Sequence, residues 1–188
     1  MDNKQQIITP EYVKNLTNFT DGFLCDIKQN IYKLRFLKFS VRDMDSGYCL
    51  FEVADEEALE NPSEINNLEE DDNSRTMKYR LIPEFLELRT IGTALTFSVG
   101  DKPVKNLLMI ESHYFRKRLI KSFEFNFDFC IPNTVNNWET IYNIPELDED
   151  TKREMIESPW ETKSDSFYFV ENKLIMHHKA EYNYSPMD

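Results

Sequence analysis

Glu111 and His113 are the residues of this 188-residue chain whose types and spacing most invite a chemical reading. Leu107, Met109, Glu111, His113 and Phe115 recur at every second position, so in a strand they share one face and a carboxylate and an imidazole lie among apolar neighbours. A buried carboxylate without a partner costs several kcal/mol or takes up a proton. Two arrangements meet that demand. Either the pair satisfies itself or twists out to the rim, or it sits at the mouth of an apolar cavity and satisfies the polar head of a ligand whose tail lies among aromatics.

Other chemistry finds little material. His177 and His178 stand side by side without the HxxxH or HExxH spacing that zinc needs, and they read as a solvated strand end. There is no GxSxG elbow, no carboxylate pair marked out as acid and base, and with only 4 glycines no GxGxxG or P-loop cradle. Cys25, Cys49 and Cys130 are widely spaced, odd in number and without CxxC, which suits small core hydrophobes in a reducing compartment. The expectation is a binding protein with no metal, no cofactor and no catalytic role.

The elements that must position these residues follow from period and punctuation. Thr9-Pro10-Glu11 opens a short helix at about 10–17. From Ile31 the period is two, with a phase slip between Phe36 and Leu37 that reads as a β-bulge keeping both halves on one core. Further strands are expected at 48–53, 77–81, 88–99 and 107–115. Another is expected through the alternating Phe123, Phe125, Phe127 and Phe129. A polar segment follows at 132–137, helical spacing at 146–156, and a hairpin of 166–170 with 174–184 around Glu171-Asn172. Many strands, two minor helices and no βαβ alternation point to one domain over 1–188, an antiparallel β-sandwich.

Charge narrows the partners. The net charge is −12, and nine acids with no Lys or Arg lie in 54–74, an acidic insert that reads as a mobile loop; outside it 25 acids face 22 bases. An excess of acid argues against nucleic acid and against firm adhesion to anionic membranes. No apolar run approaches the ~18–20 residues of a bilayer span, and the polar Met1–Thr9 does not read as a secretory leader. The 14 Phe, 9 Tyr and 2 Trp can fill a thick core or line an apolar cavity.

Several long blocks, in order, make the chain recognisable. Phe85–Gly92, Phe97–Val104, Met109–Arg116, Phe123–Pro132, Glu161–Val170 and Leu174–Tyr182 closely resemble the uncoordinated-119 family, relatives of the delta subunit of rod cyclic-nucleotide phosphodiesterase. The resemblance implies an all-β, immunoglobulin-like sandwich with short peripheral helices and an acyl-binding cavity between the sheets. It implies a cytoplasmic carrier of N-myristoylated proteins, among them G-protein alpha subunits and ciliary proteins. Cargo goes to membranes of cilia or flagella and sensory cells, and a GTP-bound Arf-like small GTPase triggers its release. Carried over by position, Phe39, Tyr79, Phe85, Ile91, Phe123, Ile144, Tyr168 and Tyr182 line the cavity, and Glu111 and His113 meet the cargo head group. Ile144 stands where family members carry an aromatic residue, which bears on cavity width and chain-length preference. A prenyl carrier of the same fold and a lipid-free adaptor are the rival readings.

Overall fold

A computed structural model describes residues 7–60 and 74–186. Its strands are β1 (Arg35–Asp43), β2 (Cys49–Ala54), β3 (Thr76–Arg80), β4 (Thr90–Ser98), β5 (Val104–Phe115), β6 (Arg118–Cys130), β7 (Val135–Asn143), β8 (Thr162–Val170) and β9 (Lys173–Asn183). Three short helices accompany them: α1 (Pro10–Lys14), α2 (Glu56–Glu60) and α3 (Glu149–Glu157). Single 3-10 turns lie at Ile27–Gln29 and Pro83–Glu87. One sheet has the order β2-β1-β4-β7 and the other β3-β9-β8-β5-β6, and they face each other as the expected sandwich.

Local chemistry sets several of these boundaries. Thr9 Oγ1 accepts the Tyr12 N–H at 3.2 Å and Pro10 opens α1, which ends at Lys14, three residues short of the expected limit. Register slips where the phase slip placed it: against β4, Phe36 pairs with Phe97 and Lys38 with Thr96, leaving Leu37 as the extra residue, buried in the core. β1 begins only at Arg35, because Lys33 adopts φ 51 and Asn30 brackets the turn through both backbone groups of Leu34. Glu171 and Asn172, at φ 49 and 64, form the two-residue turn of the β8–β9 hairpin.

The strand pattern departs from expectation elsewhere too. β3 runs parallel to β9 at the edge of the second sheet, the one parallel pair among the described residues. β7 occupies the stretch beginning inside the supposed polar segment: Trp138, Thr140 and Tyr142 point inward between exposed Asn137, Glu139 and Ile141. At Asn106 (φ 51) the pleat turns over, so Val104 and Cys130 turn in and Phe129 turns out, 48% exposed, away from the face of Phe123, Phe125 and Phe127. Within the acidic insert, residues 56–60 are helical rather than loop, with Asp55 accepting the Ala58 N–H and pairing with Arg35 at 2.7 Å; residues 61–73 lie outside the described residues.

The two sheets are buried differently. Leu107-Leu108-Met109-Ile110 is apolar on both faces because both are covered. Leu107 and Met109 enter the core between the sheets, while Leu108 and Ile110 join Phe167, Phe169, Val13 and Cys25 beneath the N-terminal segment. Cys25 and Cys130 are core residues as expected, but Cys49 is exposed, being on the outer side of edge strand β2.

Candidate functional site

Between the sheets lies a cavity of about 730 Å³, in the range of small-molecule pockets. The floor comes from β5, β6, β8, β9 and β3, and the roof from β1, β2, β4 and β7. All ten candidate residues line it: Phe39, Tyr79, Phe85, Ile91, Phe123, Ile144, Tyr168 and Tyr182 together with Glu111 and His113. The strand period explains the convergence, since alternate residues of neighbouring strands stack into rungs on one face. Met109 lies beside Tyr168, Glu111 beside Ser166 and His113 beside Ser164.

Glu111 and His113 pair with each other, one of the arrangements open to them from the sequence, and both line the cavity. His113 Nε2 donates to Glu111 Oε1 at 2.7 Å, and Tyr142 Oη donates to Glu111 Oε2 at 2.9 Å. The Glu111 side chain is 15% exposed. A carboxylate has about four lone-pair positions. Two are used, so the group is fixed in place with capacity left to accept N–H donors of a ligand. Aromatic rings fix the rest: Tyr79 stacks on Tyr182 at 5.6 Å, and Phe123 meets the Tyr142 ring edge-on at 4.7 Å. Burial, with the Glu111 charge adding to it, pushes the Tyr79 hydroxyl up to about 12 and raises those of Tyr142, Tyr168 and Tyr182. These phenols therefore stay neutral and can donate.

Sequence reasoning passed over Tyr142, Trp138 and His178, all of which line the cavity, as does Met109 from the face it was expected to share with Glu111. The alternation of Trp138, Thr140 and Tyr142 was a usable signal for the first two. His178 lies on the cavity side rather than at a solvated strand end, and its neighbour His177 is fully buried on the opposite face. There His177 Nε2 donates to Asp165 Oδ1 at 2.9 Å and Nδ1 accepts the Leu24 N–H at 3.0 Å, an arrangement that fixes a neutral tautomer. Asp165 also accepts from Thr20 through backbone N–H and hydroxyl, both at 2.9 Å, and pairs with Lys179 at 3.0 Å. This cluster fastens the N-terminal segment to the back of the cavity floor.

The two imidazoles make stability depend on pH. Burial lowers the His178 pKa to about 4 and lowers that of His177 too, against an ordinary value of 6.5. The unfolded chain therefore takes up protons that the fold refuses, and stability present above pH 6.5 is lost as the pH falls toward 4. For His178 the shift corresponds to about 3 kcal/mol. Urea unfolding across that window is expected to show the loss, and His178→Gln to flatten it; a wild-type stability constant from pH 7 to 4 would refute the assignment.

Among the described residues, no three His, Cys, Asp or Glu side chains form a metal-binding group, and no helix is long and apolar enough to cross a membrane. The arrangement suits reversible capture: an apolar cavity with a preorganised acceptor and neutral phenols inside it.

Comparison with known proteins agrees with this architecture. The family model described as "GMP-PDE, delta subunit" matches residues 28–184. Protein unc-119 homolog B of Homo sapiens is 49% identical over 188 residues, covering 95% of this chain and 72% of the relative. Protein unc-119 of Caenorhabditis elegans is 48% identical over 177 residues, covering 94% and 80%. The Drosophila melanogaster protein unc-119 homolog is 42% identical over 192 residues, covering 94% and 72%.

Proposed function

The chain belongs to the GMP-PDE delta-subunit family and within it to the unc-119 proteins, and from that premise we propose that it is a carrier which sequesters the N-terminal myristoyl group of acylated proteins. The observation that carries this reading is the convergence of eight apolar and aromatic side chains with Glu111 and His113 around one cavity of about 730 Å³. The carrier makes and breaks no covalent bond.

The physical basis is a competition between two apolar solvents for one chain. Each CH₂ removed from water contributes ~0.8 kcal/mol, on the order of 10 kcal/mol gross for a myristoyl group, and a single such chain holds a protein to a bilayer only marginally. A preformed cavity can therefore extract it. Because any chain of suitable length satisfies the tail, discrimination falls to the head end, where Glu111, His113 and Tyr79 meet the acyl-glycine and the first peptide groups. Release then needs an effector that binds the empty or opened carrier better than the loaded one. A GTP-bound Arf-like small GTPase takes that role in this reading, with cargo such as G-protein alpha subunits moving through cytoplasm toward ciliary or sensory membranes.

Vesicle flotation tests it. A myristoylated protein bound to vesicles should move to the soluble fraction when the carrier is added and return when a GTP-locked Arf-like GTPase follows. A farnesylated counterpart should stay on the vesicles. Failure to extract the myristoylated protein, or equal extraction of the farnesylated one, would contradict the reading.

A further inference from the structure

Serine hydroxyls hold the C-terminal end of α3 from two directions. Ser158 caps the helix with non-helical backbone (φ −121, ψ 72), and its Oγ accepts from Arg116 Nη2 at 3.0 Å. The same guanidinium reaches Glu154 at 2.8 Å and also Glu161, so one cation in the turn between β5 and β6 joins the helix to the segment entering β8. From the other side Ser185 Oγ donates to the Ile156 carbonyl at 3.2 Å. The turn secured in this way packs Met155 and Ile156 against Leu81, Leu86, Phe115 and Tyr184.

Both serines precede proline, and Ser158-Pro159 and Ser185-Pro186 are the two Ser-Pro dipeptides of the whole chain. Proline in the next position is what a proline-directed protein kinase reads, and it biases the serine toward the extended backbone that a kinase cleft accepts. Glu157, Pro159, Glu161 and Pro186 are exposed and both serines are half-buried, so each segment lies at the surface. Their surroundings set what a phosphate does there. At pH 7 it adds nearly two negative charges, and at a helix C-terminus beside carboxylates such charge disrupts. Glu154, Glu157 and Glu161 flank Ser158, and the Arg116 guanidinium already serves two of them. On Ser185 the phosphoryl group replaces the hydroxyl hydrogen, so the bond to the Ile156 carbonyl loses its donor.

We propose that Ser158 and Ser185 are phosphorylation sites for a proline-directed kinase and that their modification releases the last turn of α3 from the sandwich. In each transfer the serine Oγ forms a bond to the γ-phosphorus of ATP, the bond from that phosphorus to the β–γ bridging oxygen breaks, ADP leaves, and the hydroxyl proton passes to the kinase's base. The first turn of α3 stays in place, since Asp148 caps it and Lys152 pairs with Glu87 at 2.7 Å. Met155 also lines the cavity, so the freed turn speeds the exit of a bound acyl chain, a consequence that rests on the carrier reading above.

The full chain incubated with ATP and a proline-directed kinase of the mitogen-activated type, then mapped by mass spectrometry and hydrogen exchange, tests this. Phosphate is expected on Ser158 and Ser185. Amides of 154–157 should then exchange about tenfold faster, while those of Thr151 and Lys152, bonded to Asp148, stay within about twofold. Salt at about 0.5 M should shrink the acceleration caused at Ser158 by screening exposed charge. Ser158→Ala, which loses the hydroxyl without adding charge, should change exchange by less than about threefold. Absence of phosphate from either serine overturns that site, and phosphate without faster exchange at 154–157 overturns the release. A myristoylated peptide should dissociate about tenfold faster from the phosphorylated chain; if no such peptide binds at all, the carrier reading falls while the exchange result stands.

Discussion

Glu111→Ala is expected to weaken an N-myristoylated peptide by about ten- to a hundredfold while free myristate changes by less than about threefold. The difference arises because the carboxylate serves the head and not the tail. His113 and Tyr142 each donate to a separate oxygen of Glu111, so the group is held before ligand arrives and its remaining lone pairs can accept peptide N–H donors. A hydrogen bond to a charged group contributes about 1.5–3 kcal/mol, which is the stated range in affinity. Free myristate has no peptide N–H to lose. Polarisation titrations with both ligands decide the matter, and equal losses would show that Glu111 shapes the cavity and does not read the head group.

Asp165→Ala is expected to cost about 3–5 kcal/mol of folding stability. Its carboxyl is buried and gathers His177, Lys179 and Thr20 at once, on the side of the floor away from the cavity. Burial alone would raise its pKa, but the His177 hydrogen bond, the Lys179 charge and the Thr20 N–H together hold it below the ordinary range. Removing it leaves the buried Lys179 ammonium without its counter-charge, held only by the Thr20 carbonyl and hydroxyl, leaves the His177 N–H without an acceptor, and loosens the N-terminal segment that covers Phe167 and Phe169. Asp165→Asn keeps an acceptor and should cost less. Urea unfolding at pH 7 measures both, and a loss under about 1 kcal/mol for the alanine variant would mean that the segment is held by apolar packing alone.

What could be read in advance was whatever a local period encodes. The bulge at Leu37 showed as a phase slip, and the shared face of Glu111 and His113 as a spacing of two, and both stand in the fold. β7 escaped because its inward residues include the polar Thr140 and its outward ones the apolar Ile141, which blurs the contrast between faces. His177 was misread for a different reason. Its partners are Leu24 and Asp165, and the cluster is closed by Thr20, 145 positions before Asp165, so no pattern within β9 discloses that its outer face is covered. The parallel β3–β9 pairing likewise joins residues about a hundred positions apart, which no period within β3 encodes. As for the site, the resemblance supplied the aromatic positions, and composition alone could have assigned the same rings to a solid core. In the structure those rings line the pocket between the sheets, and ligand binding is what separates the two readings.

A calorimetric titration with two peptides of identical sequence, one N-myristoylated and one N-acetylated, isolates what the acyl chain contributes to binding. The myristoylated peptide is expected to bind with one-to-one stoichiometry, at least about a thousandfold tighter than the acetylated one, and with a negative heat-capacity change from apolar surface entering the cavity. Equal affinities for the two peptides, or binding of neither, would contradict it.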